Sequence, residues 1–151
     1  MFLQETFAIE DLVFYDTTDY SSQHTFNVSL PSKFSIEFDV KPTSRTNASA
    51  FVGIGTSTTN ELIVGQMTSV GGTGARNRTN NSYITQQSFT ATSTLNEYNH
   101  FKLVFDGSDW TAYYGNETLT NSKPSAYDLS KLVECYPTSN CHLKNIKIKA
   151  L

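Results

Sequence analysis

The chain has little charge, little cysteine and little tryptophan. Charged residues make up 17% of the 151 positions, the formal net charge is −3, and there are two cysteines, four prolines and one tryptophan. Without a basic excess there is no electrostatic reason to expect nucleic-acid binding. No apolar run approaches the ~20 residues of a membrane-spanning helix, so we expect no membrane insertion.

The N-terminus, MFLQETFAIEDLVFYD, has no basic start, no long apolar block and no small-residue cleavage site. It therefore lacks the pattern of an ordinary secretion signal. The last strand-like run extends almost to the final residue, which favours an excised or terminal domain of a larger protein. The length suits one domain, and we predict a single domain over residues 1–151.

Polarity comes mainly from Ser, Thr and Asn, which together fill about a third of the positions and suit strands and turns better than helices. The clearest strand signal is FSIEFDVKP, residues 34–42, in which apolar and polar side chains alternate strictly. Similar short runs recur about every ten residues, as expected of an antiparallel sandwich or barrel. The predicted strands are 12–16, 26–30, 34–40, 51–55, 62–66, 84–89, 101–105, 110–114, 117–119 and 142–150. Only residues 126–133 could form a helical turn or two, and the polar tract 69–82 is predicted to be a long surface loop.

The alternation also predicts which side chains fill the core. Within the run 110–114, Trp110, Ala112 and Tyr114 share one face; we expect that face to be buried and Tyr113 to point outward. The other predicted core residues are Phe34, Ile36, Phe38, Val40, Phe101, Leu103, Phe105, Ile146 and Ile148.

The run FKLVFDGSDWTAYYGNETL resembles a motif of concanavalin A-like (laminin-G-like) jelly-roll domains. Asp106-Gly107 matches the first turn of that motif, and Tyr113 to Asn116 matches the second with its Gly and Asn reversed. FSIEFDVKP is similar to the family's early front-sheet strand and LKNIKIKAL to its closing strand. The resemblance implies an all-β, two-sheet antiparallel jelly-roll sandwich. It also implies similarity to modules of phage tail and baseplate proteins and of microbial surface adhesins, whose usual role is glycan binding.

Glu37 and Asp39 lie side by side on the polar face of FSIEFDVKP and could belong to a hydrolase. Jelly-roll hydrolases of the laminarinase type carry Glu-X-Asp-X-X-Glu on such a strand, but Pro42 occupies the place of the second glutamate here. Retaining hydrolysis needs two carboxyl groups about 5 Å apart, one of them protonated. We therefore expect no enzyme activity. These acids are either solvated and paired with Lys41 or Lys102, or acceptors for sugar hydroxyls.

Other reaction chemistry has equally little support in the sequence. His24, His100 and His142 are scattered, and no Gly-X-Ser-X-Gly turn occurs. The glycines of residues 71–74 lack a phosphate-loop ending, and Asp106 to Asp109 fits a hairpin turn better than a calcium site. We expect no cofactor and no metal.

Cys135 and Cys141 flank a possible turn, YPTSN. A turn there could bring the two sulfur atoms within bonding distance. A disulfide and a pair of reduced thiols stay equally open.

A sugar site needs an aromatic face and planar polar groups. The tract 69–82 carries Arg76 and Arg78 next to Tyr83, and Tyr113 could add a stacking platform. We predict the glycan site here. A mobile loop with solvated arginines is the alternative, and the face with Glu37, Asp39 and His100 is the second candidate surface.

The preferred function is non-catalytic binding of a host-surface glycan or cell-wall polysaccharide. The expected setting is a phage tail or adhesin, at the virion or extracellular surface. The alternative is a structural or protein-docking sandwich that binds no sugar.

Overall fold

The structure is a computed structural model that describes residues 11–67 and 72–151. These ranges contain twelve β-strands and no helix, and so no helix that could cross a membrane. The strands are β1 (Leu12–Asp16), β2 (His24–Ser29), β3 (Phe34–Pro42), β4 (Ala50–Ser57), β5 (Asn60–Met67), β6 (Gly72–Thr79), β7 (Ser82–Ser88), β8 (Asn99–Phe105), β9 (Asp109–Tyr114), β10 (Glu117–Ser122), β11 (Lys131–Cys135) and β12 (Cys141–Ala150).

The strands form two six-stranded antiparallel sheets. Sheet A has the order β1-β12-β3-β8-β9-β10, and sheet B has the order β2-β11-β4-β5-β6-β7. The inner faces of both sheets contribute to one large apolar cluster. The predicted all-β jelly-roll sandwich is confirmed.

Alternation along β3 determines which side of sheet A is buried. Phe34, Ile36, Phe38 and Val40 are fully inaccessible, and all nine residues predicted for the core from β3, β8 and β12 are buried. Phe38 stacks on Phe101 with ring centroids 5.5 Å apart. Because aromatic rings bury large apolar areas, this central stack is a major source of stability.

Strand β9 has the predicted orientation. Trp110, Ala112 and Tyr114 are buried, whereas Tyr113 keeps 38% of its surface exposed. The DGSD segment between β8 and β9 is the predicted hairpin turn, in which the Asp106 carboxylate accepts hydrogen bonds from the backbone N–H groups of Ser108 and Asp109. These bonds lower the pKa of Asp106.

The predicted surface loop at residues 69–82 is wrong for the part that the structure describes. Residues 72–79 form β6, which pairs with β5 and β7, and residues 69–71 lie outside the described ranges. Asn80 and Asn81 make the turn to β7 with φ values of 49° and 66°, as in the type I′ turns that join two strands. The strand has no apolar alternation because its inward side chains are small or polar: Ala75, and Asn77, which accepts a 2.5 Å hydrogen bond from Tyr127.

The possible helical turn at residues 126–133 is also wrong. Lys131 to Cys135 form β11, which lies between β2 and β4 in sheet B. Its register shifts between Leu132 and Glu134, so the strand has no simple alternation. Pairing on both edges overrides the weak local preference.

Cys135 and Cys141 are separate buried thiols. Cys135 ends a strand of sheet B and Cys141 begins a strand of sheet A. Burial raises the pKa of each thiol to about 12. The structure therefore has reduced thiols, and not a disulfide, at this turn.

Candidate functional site

The predicted site residues lie on the outer faces of two different sheets. Arg76, Arg78 and Tyr83 lie on sheet B, whereas Glu37, Asp39, His100 and Tyr113 belong to strands of sheet A. The prediction that Tyr113 belongs to the same site as the two arginines is therefore wrong. It is in register with Lys102, which is in register with Glu37.

The β6–β7 hairpin brings the two arginines onto one tyrosine. A register shift after Asn77 places Arg78 opposite Tyr83. The guanidinium carbon of Arg76 lies 3.4 Å from the centroid of the Tyr83 ring, and that of Arg78 lies 5.0 Å away. The predicted proximity of these three side chains is confirmed, although a hairpin and not a loop creates it.

Arg78 is held by several partners. Its Nη1 donates a 2.8 Å hydrogen bond to the carbonyl of Thr58, and its Nη2 donates a 2.6 Å hydrogen bond to the Tyr83 hydroxyl. Arg76 is only 9% exposed. The alternative of solvated arginines on a mobile loop is therefore wrong.

These side chains form one wall of a groove of about 300 Å³ on the outer face of sheet B. The floor is a small apolar cluster of Phe51, Ile63 and Met67, separate from the main core. Tyr136 stacks on Phe51 with ring centroids 5.7 Å apart and an angle of 27°, and remains 40% exposed. The groove thus combines an apolar aromatic base with polar walls. The residues that line it are Ser49, Phe51, Ile63, Met67, Arg76, Arg78, Tyr83, Tyr136 and Thr138.

Sequence reasoning did not find the floor of this groove. The sequence predicts a strand at Phe51 but not its position on the outer face. The available signal was FVGIG: Val52 and Ile54 face the core, so the alternate positions Phe51, Gly53 and Gly55 face outward. Tyr136 follows β11, a strand that the sequence does not predict.

A pair of carboxyl groups, Glu61 and Glu134, lies buried beside the groove. Their strands flank β4, and Gly53 on β4 leaves the space in which they meet. A Cβ atom at Gly53 would lie 1.8 Å from Glu61 Oε1 and 3.2 Å from Glu134 Cγ. The Gln23 side-chain amide donates a 2.6 Å hydrogen bond to Glu134.

Glu61 holds a proton at neutral pH. Burial, followed by the hydrogen bond and the charge of Glu134, raises the pKa of Glu61 to about 10. Arg78 opposes this change, but its Nη1 lies 3.6 Å from Glu61 Oε2, too far for a good hydrogen bond.

Glu37 and Asp39 on sheet A have a partner other than Lys41 or Lys102, the two lysines considered from the sequence. The two ring nitrogens of His100 bridge them: Nε2 lies 2.9 Å from Glu37 Oε1, and Nδ1 lies 2.8 Å from Asp39 Oδ1. The side-chain amide of Asn145 donates a 2.9 Å hydrogen bond to Asp39 Oδ2. The imidazole of His100 therefore joins the two carboxyl groups.

These residues surround a smaller notch of about 170 Å³. Tyr15 and Lys147 complete its lining, with the Lys147 ammonium 5.2 Å from the centroid of the Tyr15 ring. The structure thus brings Glu37, Asp39 and His100 together as a second candidate surface. Among the described residues, no group of three His, Cys, Asp or Glu side chains is arranged to hold a metal ion.

Comparisons with known proteins identify the fold. No protein-family model matches the chain, and no curated protein matches it. Among solved structures, the carbohydrate-binding module CBM66 from Bacillus subtilis superposes with a TM-score of 0.66 at 13% identity, over 92% of this chain and 94% of that one. Chicken galectin 2 superposes with a TM-score of 0.64 at 11% identity, over 85% and 98%.

A Trypanosoma rangeli sialidase mutant with trans-sialidase activity also superposes, with a TM-score of 0.58 at 12% identity. The match covers 90% of this chain but 26% of the sialidase. The chain therefore has the concanavalin A-like sandwich fold seen in galectins and carbohydrate-binding modules. At these identities the likeness shows the fold alone.

Proposed function

We propose that the protein is a non-catalytic carbohydrate-binding module whose site is the groove on the outer face of sheet B. One observation carries the proposal: Phe51 and Tyr136 form an aromatic base beside the arginine-stacked Tyr83 on an accessible sheet face. Such a base accepts the C–H side of a sugar ring, while the polar wall binds its hydroxyl groups. The groove volume of about 300 Å³ lies at the lower end of ordinary ligand sites.

The burial of the acidic residues on this face agrees with binding without cleavage. Glu61 and Glu134 are 0% and 1% exposed, and neither lines the groove. An acid that donates a proton to a leaving group must reach it at hydrogen-bond distance. We therefore expect no reducing ends to be released from a bound polysaccharide.

A glycan array with the wild-type protein and two tyrosine variants tests the proposal. Tyr136→Ala removes the exposed ring of the groove, and Tyr113→Ala removes a ring of similar exposure from sheet A. We expect the first to weaken binding roughly ten-fold or more, since an aromatic contact contributes about 1.5 kcal/mol, and the second to leave it unchanged. The reverse pattern would place the site on sheet A, at the notch of Glu37, Asp39 and His100.

The absence of binding to every glycan would support the alternative function, a structural or protein-docking sandwich. In that case both tyrosine variants would still fold, since both side chains are on the surface. Thermal unfolding of the variants is the control that separates loss of a site from loss of the fold.

We further propose that the glycan belongs to a host cell surface or cell wall. The chain would then act in a phage tail or surface adhesin, at the virion or extracellular surface and within a larger protein. The resemblance of the Phe101 to Leu119 motif to modules of such proteins supports this setting. Pull-down with purified cell-wall polysaccharides tests it. Binding to free storage polysaccharides alone would count against it.

A further inference from the structure

We infer that the groove on sheet B binds a linear oligosaccharide through two of its sugar rings, and not a single monosaccharide. The two platforms on which the sugar rings stack are Tyr136 and Tyr83. The inference rests on the proposed function and specifies the ligand class of the same site.

Each tyrosine ring has one face covered by a neighbour and a second face that a ligand can reach. Tyr136 packs on Phe51, with ring centroids 5.7 Å apart and 27° between the ring planes. Tyr83 packs on the guanidinium of Arg76, whose central carbon lies 3.4 Å from the ring centroid. The two tyrosines nevertheless keep 40% and 41% of their surface exposed, and both line the groove. An exposed aromatic face suits the C–H side of a sugar ring.

Both rings are held in place in the absence of a ligand. The backbone N–H of Tyr136 donates a 2.9 Å hydrogen bond to the carbonyl of Phe51, the residue on which its ring packs. The hydroxyl of Tyr83 accepts a 2.6 Å hydrogen bond from Nη2 of Arg78. Because the rings have little freedom left to lose, a sugar that stacks on them costs less conformational entropy.

The two platforms lie on different strands of sheet B. Tyr136 follows β11 and packs on Phe51 of β4, whereas Tyr83 lies on β7 and packs on Arg76 of β6. Strand β5 separates β4 from β6 in the sheet. Both tyrosines line one groove of about 300 Å³, so the space between them is continuous. A saccharide that contacts both rings therefore crosses the strands.

The strand register gives the distance between the two platforms. Phe51 is opposite Gly65 of β5, and Arg76 is opposite Ile63 of the same strand. Two strand spacings across the sheet and two residues along β5 place the Cα atoms of Phe51 and Arg76 about 12 Å apart. One pyranose ring is similar in width to a tyrosine ring and covers only one platform. Two platforms therefore take two sugar rings of the same chain.

Two linked contacts make the affinity depend on the length of the saccharide. One stacking contact changes the affinity by about ten-fold. Once one sugar ring has stacked, the second contact forms within the complex, at a high effective concentration. We therefore expect the affinity to rise by at least about ten-fold from the monosaccharide to the chain that reaches both rings, and then to level off.

Calorimetry with oligosaccharides of increasing length tests the inference. The probes are cello-, chito-, laminari- and manno-oligosaccharides, each from the monosaccharide to the hexasaccharide. If the glycan array shows binding to a glycan outside these series, its own fragments of increasing length replace them. We expect at least one series to show the rise in affinity followed by the plateau.

Tyrosine variants assign the length dependence to the two rings. Tyr136→Ala and Tyr83→Ala each remove one platform, and each should bring the affinity of the longest chain close to that of the monosaccharide. Tyr83→Phe keeps the ring and loses the hydroxyl, so it should restore most of the gain. Tyr113→Ala, on sheet A, is the matched control and should keep the length dependence of the wild type. If Tyr83→Ala does not fold, the length series of the wild type and of Tyr136→Ala still decide.

The outcomes separate this inference from the proposed function. A monosaccharide that binds as tightly as the longer chains, with binding lost in Tyr136→Ala, would overturn the inference and leave carbohydrate binding in place. A length dependence that persists unchanged in Tyr83→Ala would also overturn it, because the second sugar ring would then bind elsewhere. No binding to any probe, together with an empty glycan array, would overturn both.

Discussion

Replacing Glu61 with glutamine should stabilise the protein at neutral pH. In the unfolded chain Glu61 titrates near its ordinary value of 4.5, whereas in the folded protein its pKa is about 10. At pH 7 folding must therefore protonate a group that is ionised when unfolded. One pKa unit corresponds to about 1.36 kcal/mol, so at pH 7 this protonation costs at most roughly 3 kcal/mol. Glutamine has nearly the same shape, is always neutral and can donate its amide hydrogen to Glu134.

The pH dependence gives the sign of the effect. Because the folded-state pKa is raised, the contribution of Glu61 to stability is fully present below pH 4.5 and is lost progressively as pH rises toward 10. The wild-type protein should therefore lose stability relative to Glu61→Gln over this window and be closest to it near pH 4.5.

Urea unfolding of both proteins between pH 4 and pH 9 measures this difference. We expect the free energy of unfolding of the variant to exceed that of the wild type at pH 7 by an amount that disappears near pH 4.5. A difference that stays constant with pH would refute the assignment of the proton. The assignment would also be refuted if the free energy of unfolding of the variant, relative to that of the wild type, were lower at pH 7 than at pH 4.5.

Three further predictions concern packing. Gly53→Ala should destabilise the fold by about 1–3 kcal/mol in thermal or urea unfolding, since the new Cβ would lie 1.8 Å from Glu61 Oε1; no loss of stability would mean that the carboxyl pair adjusts freely. Phe38→Ala should cost roughly 3–5 kcal/mol by the same measurement, because the ring is fully buried and stacks on a neighbour; a cost below 1 kcal/mol would contradict the assigned core. Cys135 and Cys141 should react with Ellman's reagent only on unfolding, because burial raises the pKa of both thiols to about 12; rapid reaction of native protein would show that they are accessible.

Strands with strict alternation could be predicted from the sequence. In β3 every second side chain is apolar, and a half-buried strand is the one structure that places all of them on one side. The orientation of Trp110 and Tyr113 follows in the same way. In β6 the inward positions carry Ala75 and Asn77. Asn77 accepts a hydrogen bond from the hydroxyl of Tyr127, a residue 50 positions away in the chain. Nothing in the local sequence reports such a partner.

The candidate site likewise has one part that could be predicted from the sequence and one part that could not. Arg76, Arg78 and Tyr83 are close in sequence, so their proximity could be expected. The meeting of Glu61 with Glu134 requires Gly53 on the strand between them and the order of strands in sheet B. Both are properties of the assembled sheet. The burial that raises the pKa of Glu61 is visible only in the structure.

Chemical-shift mapping of the amide groups of the protein, with a glycan that binds on the array, tests the central claim most directly. We expect the largest changes to cluster on sheet B, at Phe51, Arg76, Tyr83 and Tyr136. Changes confined to Glu37, His100 and Tyr113 on sheet A would contradict it.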